Sequence, residues 1–466
     1  MASIITRFAP SPTGNLHIGS ARTALINFII SKQNKSSRFY LRIEDTDKKR
    51  SKSEFTNNIL ESLKWLGINW DNEIQLQSQR IERHKEIAYK LLKSGNAYKC
   101  ICSEIILKEQ RELIKKNKNL SKKICTKCKY NNKVQELSEN FVIRIKIPDD
   151  GEINLEDKIQ GKVKVMNKEI DDFILLRKDH TPTYMLSVVV DDHDLGVNFI
   201  IRGDDHLNNA FRQYYIYKYL NWPIPEYAHI PLIHGEDGSK LSKRHGAVNV
   251  LDFKKNGYLS DAIINNLILL GWSPRNKNEI ININEIIGNF NLQKLSKSSS
   301  IFSYEKLNFF NNYYLRDNNN YNKFINYCEA NKKLNELFVK DENKIKLIFE
   351  VYKKDLNNFS EIVNIAENYF DKNFKYNKNE KFSEDFINLF NDFYEDITKI
   401  DIWNRNNIQE SIKNFIKIKN VKFPIIGKPL RFILINNYNG PSISDIFHIL
   451  GKKDSIHRLN QYIERN

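Results

Sequence analysis

The sequence predicts an α/β N-terminal half carrying an inserted α+β unit, followed by an all-α C-terminal part. Three observations predict it. A strand, a proline/glycine turn and a helix succeed one another within the first 32 residues. Four of the five cysteines fall between Cys100 and Cys128, in a stretch of different character. From Asp261 onward, apolar residues recur at helical spacing.

The segment from Ile4 to Ala9 reads as a short buried strand. Pro10, Pro12 and Gly14 forbid its continuation as helix or strand. Apolar residues return at Ile18, Ala21, Leu25, Phe28 and Ile29, which predicts a helix to about Lys32. This order places His17 and Gly19 at a helix N-terminus, where outward backbone N–H groups favour a phosphate. Gly19 has no side chain, so a nucleotide can approach the backbone closely. A P-loop is excluded, because no Gly-Lys-Ser/Thr closes the turn.

Arg38 to Ile43 alternates like a strand and runs into Glu44-Asp45-Thr46-Asp47. Those acids either face a ligand at the strand's carboxyl end or cap the next helix. Helices are expected at Ser53–Leu66 and Gln79–Ser94, closed by Gly67 and Gly95. From Tyr98 the character changes. Cys100 and Cys102 precede Cys125 and Cys128 by a charged, helix-like segment, a thiolate–zinc spacing unless the cysteines are unrelated free thiols. Strands at Phe141–Ile147, Lys162–Met166 and Phe173–Leu176 complete the inserted unit.

The α/β pattern resumes with Thr181 to Tyr184, the apolar run Met185–Val190 and the acidic Asp191-Asp192-His193-Asp194. Phe199–Ile201 is a buried strand ending in Arg202-Gly203-Asp204-Asp205-His206, and Phe211–Leu220 is helical. His229–Ile233 is a further strand that opens into a glycine-flanked basic loop with Lys240 and Lys243. Such a loop either covers phosphates during group transfer or is a solvated surface. Beyond Asp261 the chain reads as helices, including Ile263–Leu270, Lys344–Lys353, Glu361–Tyr369 and Phe382–Phe393. The polar gaps Asp317–Lys323 and Asp371–Lys381 are expected hinges, and Cys328 is expected in the helical core.

A net charge of +16 points to a polyanionic partner, nucleic acid first, although Lys and Asn abound along the whole chain. The cysteines do not form a secreted disulfide framework. No run approaches the ~20 apolar residues of a membrane span. No basic-then-apolar leader opens the sequence, so a cytoplasmic protein is expected.

These pieces fit one family. His17-Ile18-Gly19 within Pro10–Ser20 resembles the "HIGH" signature of class I aminoacyl-tRNA synthetases. Lys240-Leu241-Ser242-Lys243-Arg244 resembles the second, "KMSKS", signature. With Arg7 to Gly14, Arg42 to Asp47, Asp191-Asp192-His193 and Arg202 to His206 in order, the chain resembles bacterial-type glutamyl-tRNA synthetases over its full length. The resemblance implies a Rossmann-like catalytic domain (1–97 and 181–250), an inserted acceptor-end-binding domain (98–180), a stem-contact domain (251–318) and a helical anticodon-binding region (319–466). It implies a monomer that uses ATP with Mg²⁺ to load L-glutamate onto tRNA(Glu). Members that also load tRNA(Gln) form the alternative.

The resemblance also implies roles for residues. Arg7, Ala9, Ser11, Glu44, Tyr184 and Arg202 match the glutamate pocket. Thr13, Gly14, His17, Gly19 and Lys243 match the ATP site, with His17, Gly19, Lys240 and Lys243 in catalysis. Cys100, Cys102 and Cys128 match zinc-ligand positions of the members that carry a structural Zn²⁺, and Cys125 is a local candidate for the fourth. Val188 stands where some members have Asn near the substrate. Glutaminyl-tRNA synthetases share both signatures but end in β-barrels, against the helical pattern here. The truncated paralogue that glutamylates a tRNA base has no anticodon part. A non-catalytic RNA-binding module would need neither signature.

Overall fold

In the helix α1 (Ile18–Lys32), eleven of fifteen residues are buried, Arg22 and Asn27 among them. It is therefore covered on more than one side. One side packs on the strands β1 (Ile5–Phe8) and β2 (Arg38–Ile43), and another meets the helix Ser260–Leu269. Asn27 Nδ2 donates to Ile201 O at 3.0 Å, and Thr6 Oγ1 to Asn27 O at 3.0 Å. The Thr6 hydroxyl and the Asn27 amide N–H₂ thereby find partners inside the core.

The computed structural model describes residues 3–117, 123–137, 139–239, 241, 249–275, 277–375, 377 and 380–464. The chain forms two compact units, Met1–Lys254 with Ser260–Lys306, and Lys255–Leu259 with Leu307–Asn466.

In the first unit β1 pairs in parallel with β2, and β2 with the short β3 (Gln75–Leu76). The helix α2 (Ser53–Trp65) follows β2 and α3 (Ile81–Lys93) follows β3 in the chain, closed by Gly67 and Gly95 at φ of +69° and +73°. Only glycine takes that conformation without strain. The insert contributes an antiparallel sheet of β4 (Ala97–Cys100), β5 (Val142–Ile145) and β8 (Ile174–Leu176), in that order. Beside it lie α4 (Glu104–Lys116) and the single turns α5 (Thr126–Lys129) and α6 (Asn132–Gln135).

Between β5 and β8 the chain forms the hairpin β6 (Glu152–Asp157) and β7 (Gly161–Met166). This hairpin does not join the insert's own sheet. It extends the parallel sheet of β9 (Phe199–Gly203) and β10 (Glu226–Ile230), through Asp157 opposite Tyr227. The apolar run after Thr183 is the helix α7 (Tyr184–Asp194), and α8 (Leu207–Leu220) connects β9 to β10.

The strands β1 and β9 lie side by side at Asn198, whose N–H donates to Ile5 O at 3.2 Å and whose Oδ1 accepts from Ile5 N at 2.8 Å. From this boundary the chain leaves β1 through α1 toward β2, and leaves β9 through α8 toward β10. A crevice opens at the carboxyl ends of strands where the winding diverges in this way.

Two strand readings need correction. His229–Ile233 is not one strand: Pro231 has no N–H to pair, and the chain splits into β10 and β11 (Ile233–His234). The latter pairs with β12 (Ser300–Ile301). The strand β6 is absent from the sequence reading because its buried phase, Ile153, Leu155 and Asp157, ends in an acid.

The second unit is helical, with a core that includes Phe324, Phe349, Phe386, Phe390 and Phe393. Cys328 lies in that core, and burial pushes its thiol up to about 12. The expected hinge at Asp317–Lys323 is built structure. Asp317 Oδ1 accepts from Asn319 N at 2.9 Å, and a helix starts at Tyr321. In the gap Asp371–Lys381, residues 376, 378 and 379 lie outside the described residues.

Candidate active site

The crevice between β1 and β9 is a cavity of about 630 Å³. Every described residue that the sequence assigned to amino-acid or nucleotide binding lines it. The end of β1 and the loop after it supply Arg7, Ala9, Ser11, Thr13 and Gly14, and the start of α1 supplies His17 and Gly19. Glu44 enters from the end of β2, Tyr184 from the start of α7 and Arg202 from β9. Lys240 and Lys243 lie outside the described residues; Leu241 between them lines the cavity. Val188 is buried in α7 and is not part of the wall.

The loop after β1 is tied at both ends. Glu44 N donates to Pro10 O at 2.9 Å, and Lys52 N to Pro12 O at 3.2 Å. His17 caps α1: its Nδ1 accepts from Gly19 N at 3.1 Å, and its Nε2 lies 3.2 Å from Ser20 Oγ. A Cβ on Gly19 would sit 2.9 Å from the imidazole Cε1. The glycine is therefore needed for the seating of His17 itself, a reason distinct from the nucleotide approach expected of it.

Charge in the wall is arranged as a chain. Arg7 Nε donates to both Asp192 oxygens, at 3.1 and 3.2 Å. Arg42 Nη1 donates to Asp192 Oδ1 at 2.6 Å, and Arg42 Nη2 to Glu44 Oε1 at 3.0 Å. Burial raises the Glu44 carboxyl above the usual range, although Arg42 and then Arg7 pull it down. Burial also acts to raise Asp192, but Arg7 and Arg42 outweigh it and hold its carboxyl low. Asp191 turns the other way, accepting from Arg80 Nε at 2.7 Å, His84 at 2.8 Å and Gln77 at 2.9 Å.

Arg202 is seated differently. Its Nε donates to His229 Nε2 at 3.1 Å and its Nη1 to Gln213 Oε1 at 3.0 Å. Tyr184 Oη lies 3.1 Å from His206 Nδ1, which is also 3.1 Å from Asn209 Nδ2. Both His206 and Asn209 line the cavity. Arg42 and Asp192 stood in motifs already quoted, yet alternation gives no sign that Asp192, and not Asp191, holds Arg7. His229, Gln213 and Asn209 carry no sequence signal at all.

The four cysteines of the insert converge. Their sulfurs all lie within 4.8 Å of one another. Cys125 is 3.1 Å from Cys100 and 2.8 Å from Cys102, and Cys102 is 3.6 Å from Cys128. Cys125 has a φ of +69°, rare for a residue with a side chain, and this turn brings Cys128 back toward β4. The Cys100 thiol is drawn down to about 5 by the hydrogen bond from Cys125, with help from Cys102 and Arg144. Four soft sulfur donors at this spacing can hold one tetrahedral metal ion.

No helix among the described residues is long and apolar enough to cross a membrane. Residues 3–309 match the catalytic domain of class I tRNA synthetases (E and Q), and residues 323–463 match an anticodon binding domain. The chain is 41% identical to "Glutamate--tRNA ligase 2" of Rickettsia prowazekii, over 98% of each chain. It is also 41% identical to the protein of that name from Wolbachia pipientis subsp. Culex pipiens, over 98% of this chain and 99% of the relative. Among solved structures, a glutamate tRNA ligase from Elizabethkingia meningosepticum, in complex with its amino acid, superposes with a TM-score of 0.85 at 29% identity over 99% of both chains. The glutamate-tRNA synthetase of Elizabethkingia anophelis gives 0.83 at 29% identity, over 99% of this chain and 100% of that one. Signature residues gathered in one crevice, full-length relatives and a matching fold agree: the chain belongs to the class I aminoacyl-tRNA synthetases, in the glutamate–tRNA ligase family.

Proposed function

We propose that this cavity joins L-glutamate to ATP and then passes the glutamyl group to the 3′ end of tRNA(Glu). The observation that carries the reading is the convergence of Arg7, Arg202 and Glu44 on one cavity. A dicarboxylate calls for guanidinium forks, and an α-ammonium calls for a carboxylate. Arg7 and Arg202 face the glutamate carboxylates, Glu44 holds the amino group, and Ala9, Ser11 and Tyr184 complete the pocket. Arg7 is paired with Asp192, whereas the hydrogen-bond partners of Arg202, His229 and Gln213, bring no negative charge. Glutamate brings one negative charge and glutamine brings none.

The α-carboxylate oxygen of glutamate attacks the α-phosphorus of ATP, and the bond to pyrophosphate breaks. No protein nucleophile is required, so positioning and charge stabilisation carry the rate. Thr13, Gly14, His17 and Gly19, around the N-terminus of α1, hold the triphosphate. Lys240 and Lys243 offset the charge that builds on the departing pyrophosphate, and Mg²⁺ carried by ATP would supply further charge neutralisation. A hydroxyl of the terminal adenosine then attacks the glutamyl carbonyl and AMP leaves.

Cys100, Cys102, Cys125 and Cys128 would hold one structural Zn²⁺, which would pin the fold of the insert away from the chemistry. The division of labour follows the catalytic segments 1–97 and 181–250, the acceptor-end domain 98–180, the stem-contact domain 251–318 and the anticodon region 319–466. Pyrophosphate exchange with glutamate and tRNA(Glu) tests the reading. Robust exchange that collapses in Arg202→Ala supports it, and absence of glutamate-dependent exchange in the unaltered chain overturns it.

A further inference from the structure

A guanidinium can only donate, so the His229 Nε2 that receives Arg202 Nε must be a bare, accepting nitrogen. The imidazole proton then sits on Nδ1, which lies 2.6 Å from Asp157 Oδ2. Asp157 Oδ1 in turn accepts backbone N–H groups of Ile159 at 2.9 Å and Gln160 at 2.8 Å, and Oδ2 accepts His229 N at 3.1 Å. Asp157, His229, Arg202 and Gln213 are all at most 6% exposed. With Nε and Nη1 engaged, Arg202 Nη2 is a buried nitrogen with no hydrogen-bond partner.

We propose that His229, locked by Asp157 as the Nδ1-protonated tautomer, is a positioning residue that sets the plane of the Arg202 guanidinium for the substrate carboxylate. The inference rests on the reading of Arg202 as a glutamate-binding residue. The choice of group has a physical reason. Arg7 is turned by a carboxylate, Asp192, which neutralises it. A neutral imidazole turns Arg202 just as firmly but leaves its charge for the ligand. Asp157 comes from the hairpin β6–β7 of the insert, so the insert supplies the outermost link of a relay that ends in the amino-acid pocket.

The bland alternative is a staple: His229 and Asp157 would merely fasten the hairpin to β10. Two amides separate the roles. In His229→Asn the amide stands near the Nδ1 position and can still meet Asp157, but nothing accepts from Arg202. In His229→Gln the amide oxygen reaches the Nε2 position and can accept from Arg202. Pyrophosphate exchange in the presence of tRNA should give a glutamate KM raised about 10-fold or more in His229→Ala and His229→Asn. His229→Gln should lie within about threefold of the unaltered protein, and the ATP KM should barely move throughout.

The unaltered protein offers a second measurement. Protonation of His229 would set N–H against N–H, so the glutamate KM should rise as pH falls below the ordinary histidine range. Burial lowers the His229 pKa, as does the charge of Arg202, while Asp157 and Asp204 raise it. Tyr227 stacks beside the ring, and His206, also lowered by burial, titrates nearby. An acid limb that disappears in His229→Gln therefore belongs to His229 and not to His206. The proposal is overturned if His229→Asn matches His229→Gln, or if His229→Ala leaves the glutamate KM unchanged while Arg202→Ala raises it. An unchanged KM in Arg202→Ala would instead sink the reading of Arg202 on which the proposal rests.

Discussion

Arg42 and Asp192 form an ion pair 2.6 Å long whose side chains are both 0% exposed. Neither needs to touch substrate, yet each holds a residue that lines the cavity: Arg42 holds Glu44, and Asp192 holds Arg7. Asp192→Asn leaves two arginines short of a partner in the interior. It should cost about 3 kcal/mol of stability in chemical denaturation, because an uncompensated buried charge is expensive. Glutamate KM should rise about 10-fold in the folded fraction as Arg7 loses its anchor. Lost stability with a normal KM would confine the pair to a scaffolding role.

Amino-acid choice should follow charge and not shape. Glutamate and glutamine are nearly isosteric, so the pocket separates them by one charge and two donor hydrogens. Opposing an arginine with an amide N–H₂ should cost at least ~3 kcal/mol. Free glutamine should thus be a very poor substrate in pyrophosphate exchange, whichever tRNA is present. Arg202→Gln should damage kcat/KM for glutamate far more than the KM for ATP. Equal exchange rates with the two amino acids would show that the arginines do not set specificity.

Lys243 belongs to the second signature, and its expected role is to meet charge on the ATP phosphates. Lys243→Ala should slow adenylate formation about 100-fold or more and weaken tRNA binding much less. Single-turnover kinetics beside a tRNA-binding titration separate the two effects. Near-normal adenylate formation in the variant would remove Lys243 from the chemistry.

Metal analysis of protein purified without chelators should find about one zinc per chain, and Cys100→Ser should lose it. Chelation should loosen the insert, read as faster amide exchange in Ala97–Cys100 and Thr126–Lys129, before it affects pyrophosphate exchange. Zinc-free protein with the same exchange pattern would leave the four thiols as core residues only.

Acid should destabilise the first unit. Asp191 and Asp192 both titrate low in the folded state: burial opposes this, but His84 and Arg42 for the first, Arg7 and Arg42 for the second, outweigh it. A carboxyl whose folded pKa lies below its unfolded value, about 3.9, stabilises fully above that value and loses its contribution as pH falls through the folded one. Glu44, Asp172 and Asp204, raised by burial, work in the opposite sense, but Asp157 and Asp194 are held low together with Asp191 and Asp192. The melting temperature of the first unit should be flat near neutrality and fall below about pH 4. Asp191→Asn should lower the plateau and flatten that acid limb; an unchanged slope would mean the acid sensitivity resides elsewhere.

Much of this molecule is local enough to be read along the chain. Pro10, Pro12 and Gly14 end β1, and His17 opens α1, because backbone chemistry allows little else there. The ends of β2 and β9 likewise present Glu44 and Arg202, and the cysteine spacing already predicts convergence. Residue type and spacing are enough to name such groups, since each acts through its own side chain at the end of its own element. Partners are another matter. Nothing within the run Asp191–Asp194 tells which acid meets Arg7 and which meets His84, because that depends on how α7 is rotated against β1 and α3. Pairing between Asp157 and His229, 72 residues apart, exists only because a hairpin of the insert adds to the parallel sheet. The sequence by itself determined which groups this protein gathers around one crevice; only the tertiary structure decided how each is aimed, since a buried charge takes its direction from whichever distant group satisfies it.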